Sequence, residues 1–177
     1  MMKLGLVAAA ALCVSCPAGA TNLPELPDLP PARSMLNLLD RNNYRCEQRD
    51  SGLQCRRPGK AKDRVGGEAA LEIVLVYRNG SLVRSVVTLD ERHFREVAER
   101  LSLALGPAIR GDEALNAGMG GAFKNHYFMW RRDGRAWLLE QFFERIIHSG
   151  LWIMADDEAD ALLTERERRR VRGVRDL

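Results

Sequence analysis

The chain has 177 residues, and once a short leader is set aside about 157 remain, enough for one domain with a respectable core. Its formal net charge is +3, but "TERERRRVRGVRDL" (Thr164 to Leu177) holds six Arg against Glu165, Glu167 and Asp176, so the rest is close to neutral. A basic tail on a neutral body argues against a nucleic-acid-binding face.

In chain order, Lys3 precedes an apolar run, Leu4 to Val14, that is far shorter than the ~20 residues a membrane span needs. Ala18-Gly19-Ala20 has the form of a signal-peptidase site, so residues 1–20 read as a secretory leader. Cys13 and Cys16 spell C-x-x-C inside that leader, with no βαβ pattern around them, and read as apolar filler. The lesser alternative is lipidation of Cys16. No later run approaches membrane length. Residues 21–31, with Pro24, Pro27, Pro30 and Pro31, read as an extended tether.

A single domain is expected over residues 32–155. Ala32, Met35, Leu36 and Leu39 have the spacing of a short amphipathic helix. "YRCEQRDSGLQC" follows, and turning it at Arg49-Asp50-Ser51-Gly52 sets Cys46 opposite Cys55. Two cysteines surviving export to an oxidising compartment, opposed across a hairpin, read as a structural disulfide. Arg56 to Ala69 reads as a polar loop without an element of its own. Asn79-Gly80 between β-branched runs is a type I′ hairpin signal. Thr88-x-x-Glu91 reads as a capping box opening a helix, with Phe94, Val97, Ala98, Leu101, Ala104 and Leu105 on one face and Gly106-Pro107 as the stop. Residues 108–123 read as loop, with room for one helical turn. A hairpin turning at Asp133-Gly134 then sets Trp130 opposite Trp137, "GLWIMA" adds a strand, and 156–177 read as a charged helix or tail.

The expected class is α+β: an antiparallel sheet of about six to seven strands in consecutive hairpins, covered on one face by two amphipathic helices. Asn42–Gly52 and Asn125–Gly134 share Asn, Tyr, Arg-Asp and Gly, which suggests an internal α-β-β-β duplication. The layout resembles, in architecture alone, small exported inhibitors built from tandem helix-plus-sheet repeats, such as β-lactamase inhibitory proteins. No residue motif carries that likeness.

Candidate chemistry is sparse. His93, His126 and His148 lack an evident third ligand and read as surface residues, so neither metal nor cofactor is expected. Gly118 to Lys124 lacks the order of a phosphate loop, and Asp156, Asp157, Glu158 and Asp160 read as a helix start. Strand alternation puts Phe128, Trp130, Trp137 and Leu139 on one face, expected to be buried, and Tyr127, Met129 and Leu138 on the other. Tyr127, Met129, Arg131, Arg132 and Arg135 are therefore the candidate binding residues, since aromatics, Met and Arg favour hot spots. The function these features suggest is an exported, non-enzymatic binding or inhibitory module, periplasmic or secreted, whose partner is another envelope or exported protein. The alternatives are a small hydrolase using His126 and His148, or an envelope-attached lipoprotein.

Overall fold

The computed structural model describes residues 43–50, 52–116 and 122–175. The leader with Cys13 and Cys16, the tether and the helix expected over 32–39 lie outside these residues. Ten strands and two helices are described: β1 (Arg45–Arg49), β2 (Gly52–Pro58), β3 (Arg64–Val65), β4 (Glu68–Ala69), β5 (Glu72–Arg78), β6 (Ser81–Asp90), α1 (Phe94–Leu105), β7 (Ile109–Asn116), β8 (Ala122–Arg132), β9 (Arg135–Glu140), β10 (His148–Ala155) and α2 (Asp156–Arg175).

Turn chemistry sets the hairpins. Asn79 and Gly80 have φ of 52° and 81°, and Asp133 and Gly134 have 52° and 74°, the pair of positive values a type I′ turn demands. Cys46 lies opposite Cys55 in the β1–β2 ladder, and the two form a disulfide with Cα atoms 4.0 Å apart. Trp130 lies opposite Trp137 between β8 and β9.

The large sheet has eight strands in the order β1-β2-β5-β6-β10-β9-β8-β7, and β3 and β4 form a separate two-stranded arm. All its pairings are antiparallel. The class is α+β, with a larger sheet than the six to seven strands expected. Three corrections account for the difference in layout. Residues 109–116, read as loop, form β7, because Gly111, Asp112 and Glu113 depress strand propensity without preventing pairing to β8. Arg56 to Ala69 contains the β3–β4 arm. The expected capping box is also absent: Thr88 is a buried residue of β6, and Asp90 caps a 3₁₀ turn (Glu91–His93) by accepting from the Arg92 N–H at 3.0 Å.

The two described helices cover opposite faces; the first of the two helices expected on one face lies outside the described residues. Phe94, Val97, Ala98 and Leu101 of α1 pack on Val87, Leu89, Trp130, Trp137, Leu139, Leu151 and Ile153. Ala159 of α2, with Leu162 and Leu163, packs on Met129, Ala136, Leu138 and Met154 of the other face. Burial on both sides explains why the C-terminal strands carry apolar residues at nearly every position. Trp130 and Trp137 are 2% and 7% exposed, buried under α1 as expected, and the Trp130 indole donates to the Gly106 carbonyl at 3.1 Å.

Two four-stranded meanders, β1-β2-β5-β6 and β7-β8-β9-β10, meet through the central β6–β10 pair. Their mirrored order matches β1 with β7 and β2 with β8. The similarity between Asn42–Gly52 and Asn125–Gly134 instead sets β1 against β8, one strand out of step with the sheet.

Candidate functional site

Among the described residues β7 is an edge strand, and residues of β7 and β8 line a groove together with residues of α1. Helix periodicity sends Phe94 and Ala98 inward while Arg95, Glu99, Ser102 and Leu103 stand on the flank that faces β7. The result is an open groove of about 700 Å³ between α1 and the β7–β8 ladder, reaching Gln141 at one end.

The floor of the groove is aromatic. Phe94 and Phe128 have ring centroids 5.5 Å apart, Phe128 stacks on Trp130 at 6.0 Å, and the Arg110 guanidinium lies 5.3 Å from the Phe128 ring. Asp112 and His126, directly opposed across β7 and β8, meet at 2.6 Å between Oδ1 and Nδ1, with both side chains about half exposed. Gln141 anchors the end: its backbone N–H donates to the His126 carbonyl at 2.9 Å and its amide donates to Glu91 at 2.6 Å. Leu103 is 88% exposed at the rim. Cations (Arg95, Arg110) and anions (Glu99, Asp112) alternate around an apolar floor, which suits a peptide segment better than a small ion.

Acid–base chemistry finds only part of what it needs here. A His–carboxylate pair supplies a base and its orienter. Ser102 lines the same groove, but its hydroxyl donates to the Ala98 carbonyl at 2.8 Å within the helix. His148, the other histidine expected in an enzyme site, begins β10 opposite Asp90 and is not among the residues lining the groove.

The binding set named from sequence is divided by α2. Met129 is 3% exposed beneath that helix. Tyr127 is half-buried in the same cluster, its phenol lying over Gly111, where a Cβ would come within 2.2 Å of the hydroxyl. Arg131 is engaged by Asp160 at 2.5 Å and Asp156 at 3.7 Å; the hydrogen bond holds the guanidinium pKa above, and the Asp160 carboxyl below, their ordinary values. Arg132 is exposed and donates to the Ala104 carbonyl at 3.3 Å, and Arg135 is half-buried opposite it in the hairpin. These five residues do not form one open surface.

The same face holds a polar cluster that sequence reasoning missed. Glu140, 4% exposed, accepts from the Trp152 indole at 2.7 Å and pairs with Arg166 of α2, which also approaches Glu113 at 3.6 Å. Burial pushes the Glu140 carboxyl pKa up, against the pull of Arg166 and Trp152. Glu158 at the start of α2 binds Arg78 at 3.0 Å and Arg84 on the neighbouring strands. Together they pin both ends of the packed part of the helix.

The groove escaped sequence reasoning because one of its walls was read as loop. Alternation of Ile109, Gly111, Glu113 and Leu115 with Arg110, Asp112 and Ala114 is the signal that could have found it, faint because Gly and acids are poor strand formers. Comparison with protein-family models, curated proteins and solved structures found no match to this chain.

Proposed function

We propose that this protein is an exported, non-enzymatic module that binds another envelope or exported protein, and that it does so by taking an extended segment into the α1–β7 groove. The observation that carries the reading is the groove's construction: an aromatic floor beside a strand edge that is unpaired among the described residues. Strand addition supplies main-chain hydrogen bonds from the edge, and pockets beside it select side chains. The two sheet edges differ in a way that favours β7. β1 is five residues long and carries Arg45, Glu47, Gln48 and Arg49, the charged, blunted edge that discourages pairing. β7 is eight residues long, with Ile109 62% exposed and a glycine at its third position. The disulfide and the leader-like N-terminus support export, and among the described residues no helix is long and apolar enough to cross a membrane.

Affinity capture from envelope extract tests this. Protein retained by the wild type should be lost with a Leu103→Glu, Arg110→Glu double variant and kept with Arg49→Ala on β1, the other edge of the sheet. Retention by the groove variant would refute the reading. The hydrolase alternative rests on the His126–Asp112 pair, and predicts an activity that His126→Ala abolishes.

A further inference from the structure

Outside the groove, three potential ligands from three separate elements converge at the start of α1. Glu68 begins β4, His93 ends the 3₁₀ turn, and Glu96 lies one turn further on, in the first turn of the helix. His93 Nδ1 lies 3.6 Å from Glu68 Oε2 and 3.5 Å from Glu96 Oε2, and a ligand atom of each residue falls within 4.8 Å of the other two. Both separations exceed a hydrogen-bond length, so neither carboxylate binds the ring nitrogen directly. They match a metal centre instead. Zinc holds His nitrogen and carboxylate oxygen at about 2.1 Å, and two ligands of a tetrahedron at that radius stand roughly 3.4 Å apart.

The surroundings orient the ligands. The β3–β4 arm turns at Gly66 and Gly67, with φ of 54° and 84°, and Val65, 2% exposed, seats the arm in the core beneath α1. Arg100 donates to the Gly66 carbonyl and stands 4.0 Å from Glu68 Oε1, which leaves Oε2 turned toward His93. At 4.0 Å that guanidinium makes no hydrogen bond to Glu68; its charge lies on the Oε1 side of the carboxylate, while Oε2 faces His93. Arg92, next to His93 in the chain, is occupied by Asp90 at 2.6 Å. His93 and Glu96 side chains are 40% and 59% exposed, so a fourth position is open to water or to a group from a partner.

We propose that Glu68, His93 and Glu96 form a divalent-cation site of the zinc class, which ties the β3–β4 arm to α1. One imidazole with two carboxylates at this spacing suits Zn²⁺; Ca²⁺ wants six to eight oxygens and Mg²⁺ an octahedron. The site is independent of the groove and does not rest on its binding role.

Calorimetric titration of the disulfide-intact full chain with Zn²⁺ at neutral pH, with Co²⁺ absorption as the geometric probe, tests the assignment. The expected result is one saturable Zn²⁺ per chain, with His93→Ala and, separately, Glu68→Gln each weakening it by about tenfold or more, and His126→Ala leaving it unchanged. Glu96→Gln, at the most exposed ligand, gives the same reading should another variant fail to fold. Absence of saturable binding, binding indifferent to His93→Ala, or preference for Ca²⁺ would overturn the proposal.

Discussion

At the scale of single residues, Glu140 and Arg166 depend on each other. Removing one partner of a buried pair strands the other charge, so Arg166→Ala should cost about 3 kcal/mol in chemical denaturation. Glu140 also has a pH signature. Its folded-state pKa is raised by burial, so the native state holds the proton more tightly than the unfolded chain. Its contribution to stability therefore falls as pH rises from the ordinary carboxyl range through the raised value. Relative to wild type, Glu140→Gln should gain stability with rising pH across that window. A difference that shrinks there would contradict the assignment. Asp63 and Asp160 run the other way, each held below its ordinary range by an arginine, and favour the fold above that range. In the α1 core, Trp137→Ala should cost about 3–5 kcal/mol, as large-to-small core changes do. Strong iodide quenching in a folded variant keeping only Trp137 would argue against its burial. Cys46→Ala should cost about 3 kcal/mol for a loop this short, and native protein should show no thiol at Cys46 or Cys55 on labelling.

Among elements, α2 departs furthest from its sequence signature. A run this charged looks dispensable, and truncation at Glu165 is expected from composition alone to be silent. The structure argues otherwise, because Arg166 lies inside the deleted segment and compensates Glu140. Deleting Glu165 to Leu177 should lower the melting temperature by about as much as Arg166→Ala does. A much larger fall would show further docking, and no fall would show that the pair carries little. The hairpins were legible because their information is local: Asp133-Gly134 dictates a turn that sets Trp130 opposite Trp137, Asn79-Gly80 joins β5 to β6, and turning the chain at Arg49-Asp50-Ser51-Gly52 sets Cys46 opposite Cys55. β7 and the docking face of α2 were not. β7 is defined by its partner β8, and α2 presents only Ala159, Leu162 and Leu163 as a short apolar stripe in a charged helix. Such elements are set by tertiary contacts that periodicity does not report.

For the whole molecule, α2 covers one sheet face and α1 most of the C-terminal half of the other, so the recognition surface expected around Tyr127, Met129 and the Arg131–Arg135 turn is largely closed. Open in that half is the groove between α1 and the β7–β8 ladder. The proposed binding mode lays a partner's extended segment along β7 with its side chains over Phe94 and Phe128. A photocrosslinking residue placed at Leu103, on the groove rim, and in a parallel variant at Arg49, exposed on β1 at the other edge of the sheet, tests that placement in intact cells. Crosslinking of a discrete envelope protein from position 103 and not from 49 is the predicted result. Crosslinking from 49 with silence at 103, or no adduct from either position, would contradict it.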